Sequence, residues 1–428
     1  MLSFLGNSDR YCDGVSRREF LQIGGIAATG LTLPQLLRAE SQAPQAKRKS
    51  IINIFLSGGP THIDTFDLKP NAPVEYRGEF TPIATNVSGV GICELMPGLA
   101  TVADRYTVVR SVTGMNNEHT SVQSDSGWSV RSLDTMGGRP GIGSVMSKLW
   151  GPAQVTEHGT APTNVDVSNR SLPGFLGQVH AAYRPDSIGR RNLQLNSSIS
   201  MSRLDDRQGL LSGLDRLQRD IDRTGMMTAI DSFTDRAVGI ITSGEISKAL
   251  NNDMEDPRVR NRYGKSGGAF LTARRLIDAG VRCVSIAYGS WDTHGNNFAT
   301  MRRQLPGLSQ ALTTLIEDLD ARGKLDDTII MMSGEFGRTP RINGNAGRDH
   351  WPRSAFFFLG GGGFRHQGAI GTTNSRGEVA QDRPIHLQDI FTTVYKQMGI
   401  DPETTTLTDP NGRPQYLTDH RDLIHEII

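Results

Sequence analysis

Three apolar runs, each emptying into a glycine- or serine-rich polar loop, most constrain what this chain can fold into. They are Ile51-Ile52-Asn53-Ile54-Phe55-Leu56 before Ser57-Gly58-Gly59-Pro60, Val281 to Ala287 before Tyr288-Gly289-Ser290, and Thr328 to Met332 before Ser333-Gly334-Glu335. Short runs of this kind predict strands buried on both faces, as in a parallel sheet. Tyr106 to Arg110 and Ala355 to Leu359 add two more. Between them the apolar spacing turns helical. Phe270 to Ala279 is one such stretch, and Leu305, Leu308, Leu312, Leu315 and Leu319 mark a longer one. Gly323 stands where a left-handed residue ends such a helix. Ile390, Val394 and Met398 place a last helix within 385–398. Strand, polar loop and helix in alternation predict an α/β fold, a mostly parallel central sheet sandwiched by helices. Leu210, Leu214, Leu217 and Ile221 recur between charges and predict a helical insertion over about 200–255. One α/β domain, 46–428, is expected.

In such sheets, ligands bind beyond the carboxyl ends of the strands. Four loops at that position carry acids, imidazoles or hydroxyls. The first holds Asp64 and Asp67, and the second Ser111, Thr113, His119, Thr120 and Ser121. The third holds Asp292 and His294, and the fourth Glu335, Asp349 and His350. Carboxylates and imidazoles on separate loops suit a divalent metal site, and paired metals suit phosphate-ester chemistry. Each also has a structural alternative. Asp64, Asp67 and Asp292 can bond their own backbone in turns. Glu335 can pair with Arg338 or Arg341, and Asp349-His350 can pin a loop. No GxSxG elbow, phosphate-binding P-loop or dinucleotide fingerprint is present.

Lys plus Arg is 46 and Asp plus Glu is 45, a net charge of +1. That balance argues against bulk nucleic-acid or membrane-surface binding. The start, Ser16-Arg17-Arg18-Glu19-Phe20-Leu21, fits a twin-arginine export signal, and Ile23 to Leu33 supplies a short apolar region. That region falls short of the roughly 20 apolar residues needed to span a bilayer. A signal peptide over 1–45 is expected, cleaved after Ala39 or Ala43, with the twin-arginine translocase as partner during export. The implied location is periplasmic or cell-envelope. Beyond Cys12 there remain Cys93 and Cys283, one disulfide or two buried thiols, with no CxxC pair for a thiolate zinc site.

SGGPTHIDTFDLKP, GSWDTHGNNF and LDARGKLDDTIIMMSGEFGRTPRINGNAGRDHWP, with the twin-arginine start, resemble a family of exported proteins catalogued as a domain of unknown function. That family is set beside the alkaline phosphatases, sulfatases and cofactor-independent phosphoglycerate mutases. The resemblance implies an alkaline phosphatase-like fold and a divalent metal: zinc, calcium, magnesium or manganese. It implies ligands at Asp64, Asp292, His294, Glu335, Asp349 and His350. Glu335-Phe336-Gly337 stands where those enzymes carry Asp-His-Gly, so one histidine is missing. Their hydroxyl nucleophile maps onto Ser111, Thr113, Thr120 or Ser121, one at most. Neither Cys93 nor Cys283 lies in a sulfatase Cys-x-Pro-Ser-Arg motif. Arg338, Arg341 or Arg348, with His119, would hold the anionic group. The expected activity is hydrolysis of phosphate or sulfate esters, with sulfated or phosphorylated glycans among the substrates. The alternative is a degenerate fold kept as an envelope binding module.

Overall fold

The computed structural model describes residues 48–156, 159–185 and 244–428. The export signal over 1–45 and most of the proposed helical insertion lie outside the described residues. The central sheet is built from β1 (Ser50–Phe55), β2 (Tyr106–Thr113), β3 (Asn164–Asp166), β4 (Cys283–Ala287), β5 (Thr328–Ser333), β6 (Ala355–Gly361), β7 (Gly368–Ile370) and β8 (Ile385–His386). Their order is β7-β2-β6-β5-β1-β4-β3, with β8 also beside β2. β6 runs antiparallel to both β2 and β5, and every other pair is parallel. The expected α/β class with a mostly parallel sheet is what the chain adopts.

The strands read as continuous apolar runs because both faces are covered. Successive residues point to opposite faces, and the core divides accordingly. Ile52, Ile54, Val108, Val284, Ile286, Ile330, Met332, Phe356 and Phe358 lie in one buried cluster. Ile51, Val109, Cys283, Ile329, Met331, Phe357 and Leu359 lie in the other. Of the helices, α1 (Val122–Ser126) is a single short turn after β2. The second face is covered by α2 (Ile142–Trp150) and α5 (Leu387–Gln397), through Ile142, Val145, Ile390 and Val394. The first is covered by α3 (Gly268–Asp278) and α4 (Asn297–Ala321), through Phe270, Leu276, Leu305, Leu312 and Leu319. The long helix begins well before its first leucine and passes through Pro306. Phe298 and Met301 extend the buried stripe upstream and hold that first part in place. Gly323 follows it at φ +65°, the left-handed stop its position implies. Cys93 and Cys283 are both free and buried, so the disulfide does not form.

The direction of β6 has one consequence for the site. Because it is antiparallel to its neighbours, β2 runs the same way as β5, β1 and β4. The loops following all four therefore leave one edge of the sheet.

Candidate functional site

The loop after β1 turns through two consecutive glycines with positive φ, Gly58 at +100° and Gly59 at +65°. Their N–H groups converge on Glu335, the residue two past the end of β5. Gly58 N lies 2.9 Å from each carboxylate oxygen, and Gly59 N lies 3.1 Å from Oε2. A Cβ at Gly58 would sit 2.3 Å from the Asp292 backbone nitrogen. One at Gly59 would sit 2.4 Å from the Phe336 carbonyl oxygen. Three loops thus pack backbone to backbone, which only glycine permits. Glu335 is 2% exposed. Burial pushes its carboxyl above the usual range, opposed by the Gly58 amide and His119.

Three imidazoles stand in front of this carboxylate, each tied at Nδ1 to an acceptor. His119 Nδ1 is 3.2 Å from Glu335 Oε1. His294 Nδ1 is 2.6 Å from Asp349 Oδ1, and His350 Nδ1 is 2.8 Å from Asn117 Oδ1. A ring that donates from Nδ1 carries its lone pair on Nε2. All three Nε2 atoms point inward. Those of His119 and His294 each lie 3.0 Å from His350 Nε2. Asp292 Oδ1 completes the group, 3.1 Å from His294 Nε2 and 3.3 Å from His350 Nε2. Asp292 Oδ2 is 3.8 Å from His119 Nε2. Ligand atoms of His119, Asp292 and His350 all fall within 4.8 Å of one another, as metal donors would.

The electrostatics keep these donors available. Desolvation raises the Asp292 pKa, but Arg338, His350 and His294 outweigh it and the net shift is downward. The hydrogen bond from His294 holds Asp349 low as well. Burial, then the nearby positive charge of Arg338, lowers the pKa of His350 and favours its neutral ring. Arg338 is wholly buried. Its guanidinium donates to the carbonyls of Gly58, Gly59 and Arg348 and to Asp292.

Of the six residues expected as ligands, Asp292, His294 and His350 meet at one point. Glu335 and Asp349 stand one bond behind, each holding an imidazole rather than joining the inner group. Asp64 is elsewhere. Both its oxygens are taken by Arg348, with Nε at 2.7 Å and Nη2 at 3.0 Å, and by Asn297 Nδ2 at 2.8 Å. Asp67 pairs with Lys69 and Thr373. His119, expected to touch substrate, instead belongs to the inner group.

The arginines also differ from expectation. Arg348 spends its remaining donors on the carbonyls of Thr339, Pro340 and Tyr76. That uses all five N–H groups of Arg348, leaving none for an anion, and Arg338, equally buried, already serves backbone carbonyls and Asp292. Arg341 is exposed. Among the hydroxyls, Ser111 donates to Arg383 O at 2.6 Å and Thr113 to Ile385 O at 3.3 Å, fastening β2 to the next segment. Ser121 donates to Arg170 O at 2.8 Å, and Thr120 Oγ1 accepts from Val122 N at 3.4 Å. Asn117 and Gln123 were not foreseen. Gln123 bonds Asn116 through both ends and reaches Glu335 O, which shapes the His119 loop.

The fold and this cluster define an α/β protein with a three-imidazole, one-carboxylate group at the strand ends. The chain belongs to the family DUF1501, described as a protein of unknown function, which matches residues 48–428. No curated protein matches it. Among the described residues no helix is long and apolar enough to cross a membrane.

Proposed function

We propose that the protein is an exported, metal-dependent hydrolase of phosphate or sulfate esters with an alkaline phosphatase-like fold. The observation carrying this reading is the convergence of three Nδ1-anchored imidazoles on one point beside Asp292 Oδ1. Facing lone pairs and a carboxylate suit a cation, and backing each ring with an acceptor is the usual support of metal-binding histidine. His119, His294, His350 and Asp292 would hold it. Three nitrogens and one oxygen favour zinc over calcium, magnesium and manganese. A divalent ion held there would supply Lewis acidity to the ester oxygen and lower the pKa of bound water.

The chain's own residues do the rest. Glu335, Asp349 and Asn117 fix the ring orientations and tautomers. Arg338 holds Asp292 in place and keeps it ionised. Ser111, Thr113 and Ser121 already give their hydroxyl protons to backbone carbonyls, so the nucleophile in this reading is water or Thr120, whose Oγ1 only accepts from Val122 N–H. The same hydrogen bonds support a second reading, a metal-stabilised binding module of the cell envelope.

Metal analysis of protein purified without chelator, with a phosphate- and sulfate-ester screen, tests both. About one equivalent of metal and hydrolysis, each lost in His350→Ala, is the expected result. Absence of metal in the wild type sinks both readings. Metal without hydrolysis of any ester selects the binding module. The twin-arginine signal predicts export, tested by cell fractionation of the wild type against Arg17→Lys/Arg18→Lys.

A further inference from the structure

A cavity of about 380 Å³ is lined by residues close in sequence to the imidazole cluster. That volume lies in the range of small-molecule sites, roughly 300–1,000 Å³. Its lining includes Thr113, Gly114 and Met115, Pro352 and Arg353, and Val379. Two stretches of this lining continue the segments that carry the cluster. Pro352 is two residues past His350, and Met115 is two before Asn117, each within about 7 Å of chain.

Its lining is mostly apolar and holds one cation, Arg353. Val379 is 40% exposed there. Arg353 is exposed, and its guanidinium lies 5.3 Å from the centroid of the Trp351 ring. That ring is itself anchored, its Nε1–H donating to Glu378 O at 2.7 Å. Arg353 has no carboxylate partner among the described residues, in contrast to Arg338 and Arg348. A planar guanidinium held over an indole keeps its outer edge open for a bidentate anion.

We propose that this cleft is the subsite for the non-reacting part of the substrate: a ring-sized, partly apolar body bearing its own negative charge, paired by Arg353. This deepens the hydrolase reading and rests on it only for the word substrate. An acidic sugar and an aryl carboxylate share that chemistry.

Calorimetric titration of the full chain separates the sources and tests the idea. Glucuronate and benzoate are the two probes, with glucose and benzamide as neutral counterparts. At least one acid should bind at millimolar concentration, and its neutral counterpart about tenfold more weakly. Arg353→Ala should weaken the acid about tenfold, and Arg353→Lys by less, since the charge remains without the fork. A thermal melt checks that both variants fold. Neither acid binding at about 50 mM, or Arg353→Ala matching the wild type, overturns the proposal. Acid binding in a protein that hydrolyses no ester sustains the cleft while the hydrolase reading fails. Hydrolysis without acid binding does the reverse.

Discussion

His294 and His350 meet Nε2 to Nε2 at 3.0 Å, while the Nδ1 of each is already bound to an oxygen. Two neutral rings in that arrangement place lone pair against lone pair. A shared cation would remove the conflict and would bind only the folded chain. Removing it should therefore lower stability by mass action, about 4 kcal/mol when the ion is present at a thousand times its Kd. Calorimetric melts should fall by several degrees after chelation for the wild type and stay unchanged for His350→Ala. Equal melts with and without chelator in the wild type would count against a bound ion.

Glu335→Gln tests the supporting carboxylate. Glutamine keeps the volume, but its amide nitrogen cannot accept from the Gly58 and Gly59 N–H groups, and a neutral oxygen is a weaker acceptor for His119. The fold should survive, with metal affinity down by about 10- to 100-fold. Competition with a chromogenic chelator gives the ratio. Complete loss of metal with an unchanged melt would make Glu335 a direct ligand instead.

Asp64 and Arg348 should matter for stability and leave the metal alone. Their ion pair is wholly shielded from solvent. Asp64→Asn leaves a buried guanidinium without its counter-charge, at a cost of about 3–5 kcal/mol. Denaturant melts should record that loss while metal stoichiometry stays at the wild-type value. A stable variant lacking metal would return Asp64 to the site.

The hydroxyls separate water attack from a covalent route. Ser111→Ala strands the Arg383 carbonyl and should cost about 1–3 kcal/mol of stability. Ester hydrolysis should persist within a few fold in Ser111→Ala, Thr113→Ala and Ser121→Ala. A loss beyond a hundredfold in Thr120→Ala, with metal retained, would identify a covalent nucleophile.

Asp125 should give stability a distinctive pH dependence. It is buried against Asn53 and Ser171, and burial pushes its carboxyl up to about 6 from an ordinary 3.8. Between those values the folded chain keeps a proton that the unfolded chain has released. Stability from this group is thus whole below pH 3.8, declines as pH rises, and is gone above about 6. The change is on the order of 3 kcal/mol. Asp125→Asn does not titrate, so its melting temperature relative to wild type should rise from pH 4 to 6 and then level off. A difference that is flat across that range would refute the shift.

The sheet was legible because its strands are apolar on both faces, and few other arrangements bury such runs. Four polar loops at strand ends also pointed to one edge. What did not show was the role of each side chain. Asp64 looked like a ligand because it follows the first strand. It became a buried ion-pair partner because Arg348, nearly three hundred residues on, reaches it first. Glu335 looked like a ligand because it ends an apolar strand. The Gly58-Gly59 amides turned it into support for His119.

The sequence alone determined the α/β class, the alternation of layers and the loops in which a site would lie, since burial periodicity is local and additive along the chain. Tertiary structure decided which atoms face one another. Glu335 and Phe336 left one imaginable imidazole missing, and His119, from the loop after β2, supplies an imidazole from across the site. No spacing rule could reveal that. The exchange depends on β6 running antiparallel, which brings the end of β2 to the same edge as β1, β4 and β5.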